Sequence, residues 1–79
     1  MSQVRAKFKV SSITRQPGWN GAKEVHTVEL IPVTGDSEEN MRFYAATPGG
    51  GIKLSVVNEA VGKQFDLGDE FYVDFTKAA

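Results

Sequence analysis

Val4-Arg5-Ala6-Lys7-Phe8-Lys9-Val10-Ser11-Ser12-Ile13 carries the pattern on which the fold turns. Val4, Ala6, Phe8 and Val10 alternate with Arg5, Lys7 and Lys9, and a period of two residues gives one buried and one wet face. This is a strand of antiparallel type, solvated on one side. The phase slips at Ser11-Ser12. One extra residue there returns Ile13 to the core side, so a β-bulge with a local bend is expected.

Outward from this strand, Pro17-Gly18 and Asn20-Gly21 are turn dipeptides. Residues 23–33 then read as a second strand. Val28 and Leu30 share a face with His26 and Pro32, and Val25, Ile31 and Val33 take the other. Apolar residues on both faces suit a central or barrel position, and Pro32, which cannot donate to a ladder, should end the pairing or face an edge. Thr34 to Asn40 is a polar, acidic loop. Met41 to Ala46 reads as a third strand, Ile52 to Val56 as a fourth, and Phe71, Val73 and Phe75 mark the last. Before it, Asn58 to Phe65 reads as one or two helical turns, with Asn58 as N-cap and Val57, Val61 and Phe65 on one stripe. Gly62 weakens that helix by about 1 kcal/mol against Ala.

The order β-β-β-β-α-β predicts a mainly β fold, a small five-stranded antiparallel barrel or strongly bent sheet with one short helix as lid. The expected core is Val4, Phe8, Val10, Ile13, Val28, Leu30, Phe43, Ile52, Leu54, Val61, Phe65, Phe71, Val73 and Phe75. With 79 residues the chain forms one domain, 1–79, whose thin core leaves room for a homodimer burying a further apolar face.

Hydrophobic residues make up 41% and charged residues 24% of the chain, which is ordinary for a globular protein and too apolar for a disordered one. There is no cysteine, so neither disulfides nor thiolate-bound metals are expected to staple the core. No apolar run approaches a bilayer span and the first residues do not read as a signal peptide, so no membrane association is expected. The absence of cysteine fits a reducing cytoplasm. The net charge is −1, without the positive excess usual for polyanion binding. The charge is uneven, however: residues 1–30 hold five basic and two acidic side chains, and residues 31–79 four and eight.

The catalytic inventory is poor. His26 is the single histidine, and no nucleophile-elbow pattern accompanies it. The carboxylates at 36–39 and 66–70 do not match an EF-hand calcium loop and read as solvated turns. The chain is therefore read as no enzyme, with no cofactor and no metal. Two stretches could bind. Thr47-Pro48-Gly49-Gly50-Gly51 exposes successive backbone N–H groups that can cradle an anion, with Lys53 beside it. It lacks the Gly-Lys-Ser/Thr ending of a P-loop, and the plainer reading is a tight turn. The second site is aromatic. Trp19 lies between two turn dipeptides, Phe43 and Tyr44 are adjacent so that one must point outward, and Tyr72 opposes the inward Phe71. Trp19 and Tyr44 join the Gly-rich loop as ligand-binding candidates. If Trp19, Tyr44 and Tyr72 share a face with Arg5, Lys7 or Arg15, that face is a stacking platform for single-stranded nucleic acid.

Phe43-Tyr44-Ala45-Ala46-Thr47-Pro48-Gly49-Gly50-Gly51-Ile52-Lys53-Leu54, Asn58-Glu59-Ala60 and the run from Phe65 to Thr76, with the opening Val4 to Val10, resemble small proteins encoded in tailed-phage and prophage genomes. The resemblance implies a setting in the host cytoplasm or the virion and supplies no assigned site residues. Residues and resemblance together lead us to expect a phage-type, non-catalytic module that binds a protein or a small anionic or nucleotide ligand in the infected cell. The alternatives are a single-strand nucleic-acid binder of oligonucleotide-binding type and a virion or assembly component.

Overall fold

The computed structural model describes residues 4–18, 24–57 and 59–78. In chain order the elements are β1 (Val4–Pro17), β2 (Glu24–Pro32), α1 (Glu38–Ala46), β3 (Ile52–Val56), α2 (Glu59–Gly62) and β4 (Glu70–Phe75). The four strands form one antiparallel sheet in the order β3-β2-β1-β4.

The expected bulge is present. The β1–β2 register shifts between Val10 and Ser12, and Ile13 returns to pack against the core. The two serines satisfy what the bulge opens: Ser11 Oγ donates to the Glu29 carbonyl at 3.1 Å and Ser12 Oγ to Glu29 Oε2 at 2.9 Å. β2 is central, as its two apolar faces required, and it ends at Pro32.

The fifth strand and the barrel are corrected. Residues 41–46 belong to α1. Ser37 caps this helix in extended backbone, its hydroxyl accepting from the Asn40 N–H at 3.1 Å, and Glu38 and Glu39 lie in the first turn, where the helix dipole favours negative charge. Met, Arg and two alanines continue a good helix former, so capping and propensity outweigh a short apolar run. With that segment helical the sheet keeps β3 and β4 as two open edges. The radius of gyration is 14.4 Å and the smallest extent 19 Å. A compact chain of this length would have a radius of about 12 Å, so the molecule is a spread slab.

The two helices cover opposite faces. Ala6, Phe8, Val10, Val28 and Leu30 form the buried cluster, with Ile13, Ile52, Phe65, Phe71 and Val73 packed on it. α2 and Phe65 lie on this side: the Phe65 and Phe71 rings are 5.2 Å apart, and the Gly62 backbone presses on His26. α1 lies on the other side, over Lys7 and Tyr72. Four expected core residues are exposed instead: Val4 (64%), Phe75 (56%), Leu54 (42%) and Val61 (41%). Val4 and Phe75 pair at one end of the sheet, Leu54 is on the β3 edge, and four residues of α2 are too few to cover more. Ala6, Val25 and Val33 are buried although the sequence did not single them out as core. The N-cap expected at Asn58 lies outside the described residues.

Candidate functional site

Three places hold most of the residues that the sequence singled out. The first is the polar face beneath α1. Arg5 binds Asp74 through two hydrogen bonds, Nε–Oδ1 2.7 Å and Nη2–Oδ2 3.1 Å. Lys7 Nζ lies 2.6 Å from Glu39 Oε2 and 3.3 Å from Glu70 Oε1. The Tyr72 hydroxyl donates to the same Glu39 oxygen at 2.7 Å. Arg5 and Lys7 also stand 5.1 and 5.4 Å from the Tyr72 ring centre, a cation–π arrangement. Asn40, on the buried side of α1, donates to Glu70 Oε2 at 3.1 Å, and its Oδ1 has no partner among the described residues. Phe43 completes the seam, its ring 6.0 Å from that of Tyr72.

Electrostatics follow from these contacts. The Arg5 hydrogen bond, then its charge, holds the Asp74 carboxyl below the usual range. Glu39 is lowered chiefly by the hydrogen bond from Lys7 and next by that from Tyr72. Lys7 and Tyr72 are both raised, first by their hydrogen bonds to Glu39. Arg5 and Lys7 are thus neutralised by the chain's own carboxylates.

The second place is a cleft of about 260 Å³ between β1, β2 and the segment after α2, lined by Ile13, Arg15, His26, Gly62, Lys63, Phe65 and Asp66. Glu24 bridges its polar side: Arg15 Nη2 lies 2.8 Å and His26 Nε2 3.4 Å from Glu24 Oε1. Arg15, then His26, lowers the Glu24 carboxyl. His26 is 4% exposed, and its Nδ1 edge faces the Gly62 backbone. It is a packed histidine oriented by a carboxylate.

The third place is a groove of about 280 Å³ at the β2–β3 end, lined by Ser11, Glu29, Leu30, Ile31, Gly51, Ile52 and Lys53. It adjoins the Gly-rich loop. Gly49 and Gly51 do not have positive φ, and Gly50 has φ 137°. An anion nest alternates right- and left-handed helical residues, with φ near +57° for the latter. The loop therefore lacks the nest geometry. It crosses above the Phe8 ring, where a Cβ at Gly50 would stand 3.9 Å from Cζ. The turn reading fits better than a phosphate cradle.

The stacking platform is brought together in part. Arg5, Lys7 and Tyr72 share one face. Arg15 pairs with His26, and the bulge has carried it to the opposite face. Tyr44 is exposed on α1 rather than in a strand. Trp19 lies outside the described residues. Glu39, Asn40 and Glu24 were missed as partners. Ser37 followed by Glu38-Glu39, and the two-residue spacing of Glu24 and His26, were the available signals.

Among the described residues no group of three His, Asp or Glu side chains stands close enough to hold a metal ion, and no helix is long and apolar enough to cross a membrane. A scan against protein-family models and searches of curated proteins and of solved structures gave no match to this chain.

Proposed function

We propose that this chain is a non-catalytic binding module whose partner is a protein, engaged at the end of the sheet where β3 meets α2. The observation that carries this reading is the exposure of Leu54, Val57 and Val61 there. Exposed apolar side chains grouped at one end of a small domain are a usual mark of a protein-binding surface. The polar face favours it indirectly: Arg5 and Lys7 already hold carboxylates, so a polyanion would have to displace internal ion pairs to gain contacts. In line with the resemblance of the sequence, the partner is a phage or host protein within an infected cell.

Affinity capture tests the reading. The native chain retains a defined protein, and Leu54→Glu with Val61→Glu, both at exposed positions, loses it while the melting temperature stays close to native. Retention unaffected by the pair contradicts the proposal.

A small anion is the second reading, favoured by the cleft in which Lys63 joins Arg15 and His26, both held by Glu24, around Ile13 and Phe65, with Asp66 also in the lining. A thermal-shift screen with nucleotides and simple phosphates decides it. A rise that grows with ligand concentration and disappears in Arg15→Gln supports this reading, and no rise removes it.

A further inference from the structure

We infer that two copies of this chain pair through their β4 edges, with Val73 on the twofold axis, to make one continuous sheet of two four-stranded halves. The inference is independent of the protein-partner reading, which uses the other end of the sheet.

The hydrogen-bond directions define the edge. Val10 gives its N–H to the Asp69 carbonyl at 2.9 Å and accepts from the Gly68 N–H at 3.0 Å, so its backbone faces the β4 side. Lys7 faces the other way, its carbonyl accepting from the Val33 N–H at 3.1 Å. Alternation then turns Val4, Ala6 and Phe8 toward β4. Their partners Phe75, Val73 and Phe71 turn inward to meet them. Glu70, Tyr72 and Asp74 are left with N–H and C=O groups pointing off the open edge. An unpaired row of this kind is a template for another strand.

The side chains select both the occupant and the register. In an antiparallel pair, facing residues lie on the same side of the sheet. With Val73 opposite Val73 of a second copy, Phe71 faces Phe75 on the apolar side, and Tyr72 faces Asp74 on the polar side. Phe75, more than half exposed in the single chain, gains a cross-strand aromatic partner. Sliding the copies by one step so that Tyr72 faces itself sets Glu70 against Asp74, two carboxylates. The opposite step sets Asp74 against Asp74. Both are penalised. The Val73-centred register sets no carboxylate against another, and the Arg5–Asp74 pairs stay intact beside it. The β3 edge is guarded by Lys53, a common device against such pairing.

The absence of native cysteine makes the register directly testable. At the Val73 pair, which would not exchange hydrogen bonds, the Cα atoms would be about 4.5 Å apart, within the span of a disulfide. Under mild oxidation Val73→Cys links into a covalent dimer. Neither Tyr72→Cys nor Asp74→Cys links to itself, although a mixture of the two gives the cross-linked pair. Leu54→Cys, on the other edge, forms no cross-link. In sedimentation equilibrium the native chain doubles its mass as concentration rises, and a synthetic chain N-methylated at Tyr72, which blocks one outward donor and leaves every β1 contact, does not. A native chain that remains monomeric at millimolar concentration overturns the inference. So does a dimer that links through Leu54→Cys, or one that links equally through every cysteine.

Discussion

The backbone of Gly62 lies against the imidazole of His26 so closely that a Cβ at position 62 would stand 2.9 Å from the ring Cγ and still nearer to Nδ1. The contact joins α2 to the central strand. It also explains a glycine placed where helix propensity alone would favour alanine.

Gly62→Ala therefore tests packing against propensity. Propensity gains about 1 kcal/mol from the change, but overpacking against a buried ring costs about 1–3 kcal/mol. Urea unfolding should show a net loss. In a His26→Ala background the same change should cost less, and the difference in a double-mutant cycle measures the contact. A stabilised Gly62→Ala would show that α2 does not bear on His26.

Ser37→Ala removes the cap of α1 and should cost about 1 kcal/mol. Because Glu39 and Asn40 reach the sheet from this helix, the melting temperature of the whole domain should fall, measured equally by far-ultraviolet circular dichroism and by tyrosine fluorescence. Loss of the helical signal with an unchanged sheet transition would mean that α1 is only loosely attached.

The polar face should shape stability against pH at both ends. Asp74 and Glu39 have folded values below their unfolded ones, so the stability they contribute is complete above about pH 5 and lost as pH falls through the folded values. Asp74→Asn with Glu39→Gln should flatten the acid limb of a melting profile. Lys7 and Tyr72 are raised in the fold. Their contribution is complete below about pH 10 and lost as pH rises through the folded values. Tyr72→Phe should remove a late-ionising phenol from the tyrosinate absorbance titration; an unchanged alkaline end would contradict the Tyr72–Glu39 bond.

Much of the sheet was legible because alternation and punctuation agreed. Val4 to Val10, the serine bulge, the two-faced β2 and the Phe71-Val73-Phe75 strand all follow from period two and local breakers. Residues 41–46 are ambiguous because six residues with an apolar centre fit a strand and a helix equally well. Only Ser37 and the two following glutamates distinguish them, and their polarity suits a loop as well as a helix start. The candidate surfaces were less legible. Lys7 and Arg15 lie on one basic strand in sequence, but the bulge sends them to opposite faces. The carboxylates that neutralise Arg5 and Lys7 come from α1 and β4, 32 and 69 residues away, which no local pattern records. The exposed Leu54 alternates and Val61 recurs at helical spacing as core residues do, and nothing in that spacing reveals how little the short covering helix buries.

Site-specific photocrosslinking in the cells that make the protein tests the central claim most directly. With benzoylphenylalanine at Leu54 or Val61, the account predicts adducts to one defined polypeptide other than this chain, and none from the same probe at exposed Thr14. Adducts sensitive to nuclease and formed from Tyr72, with none from Leu54 or Val61, would contradict it.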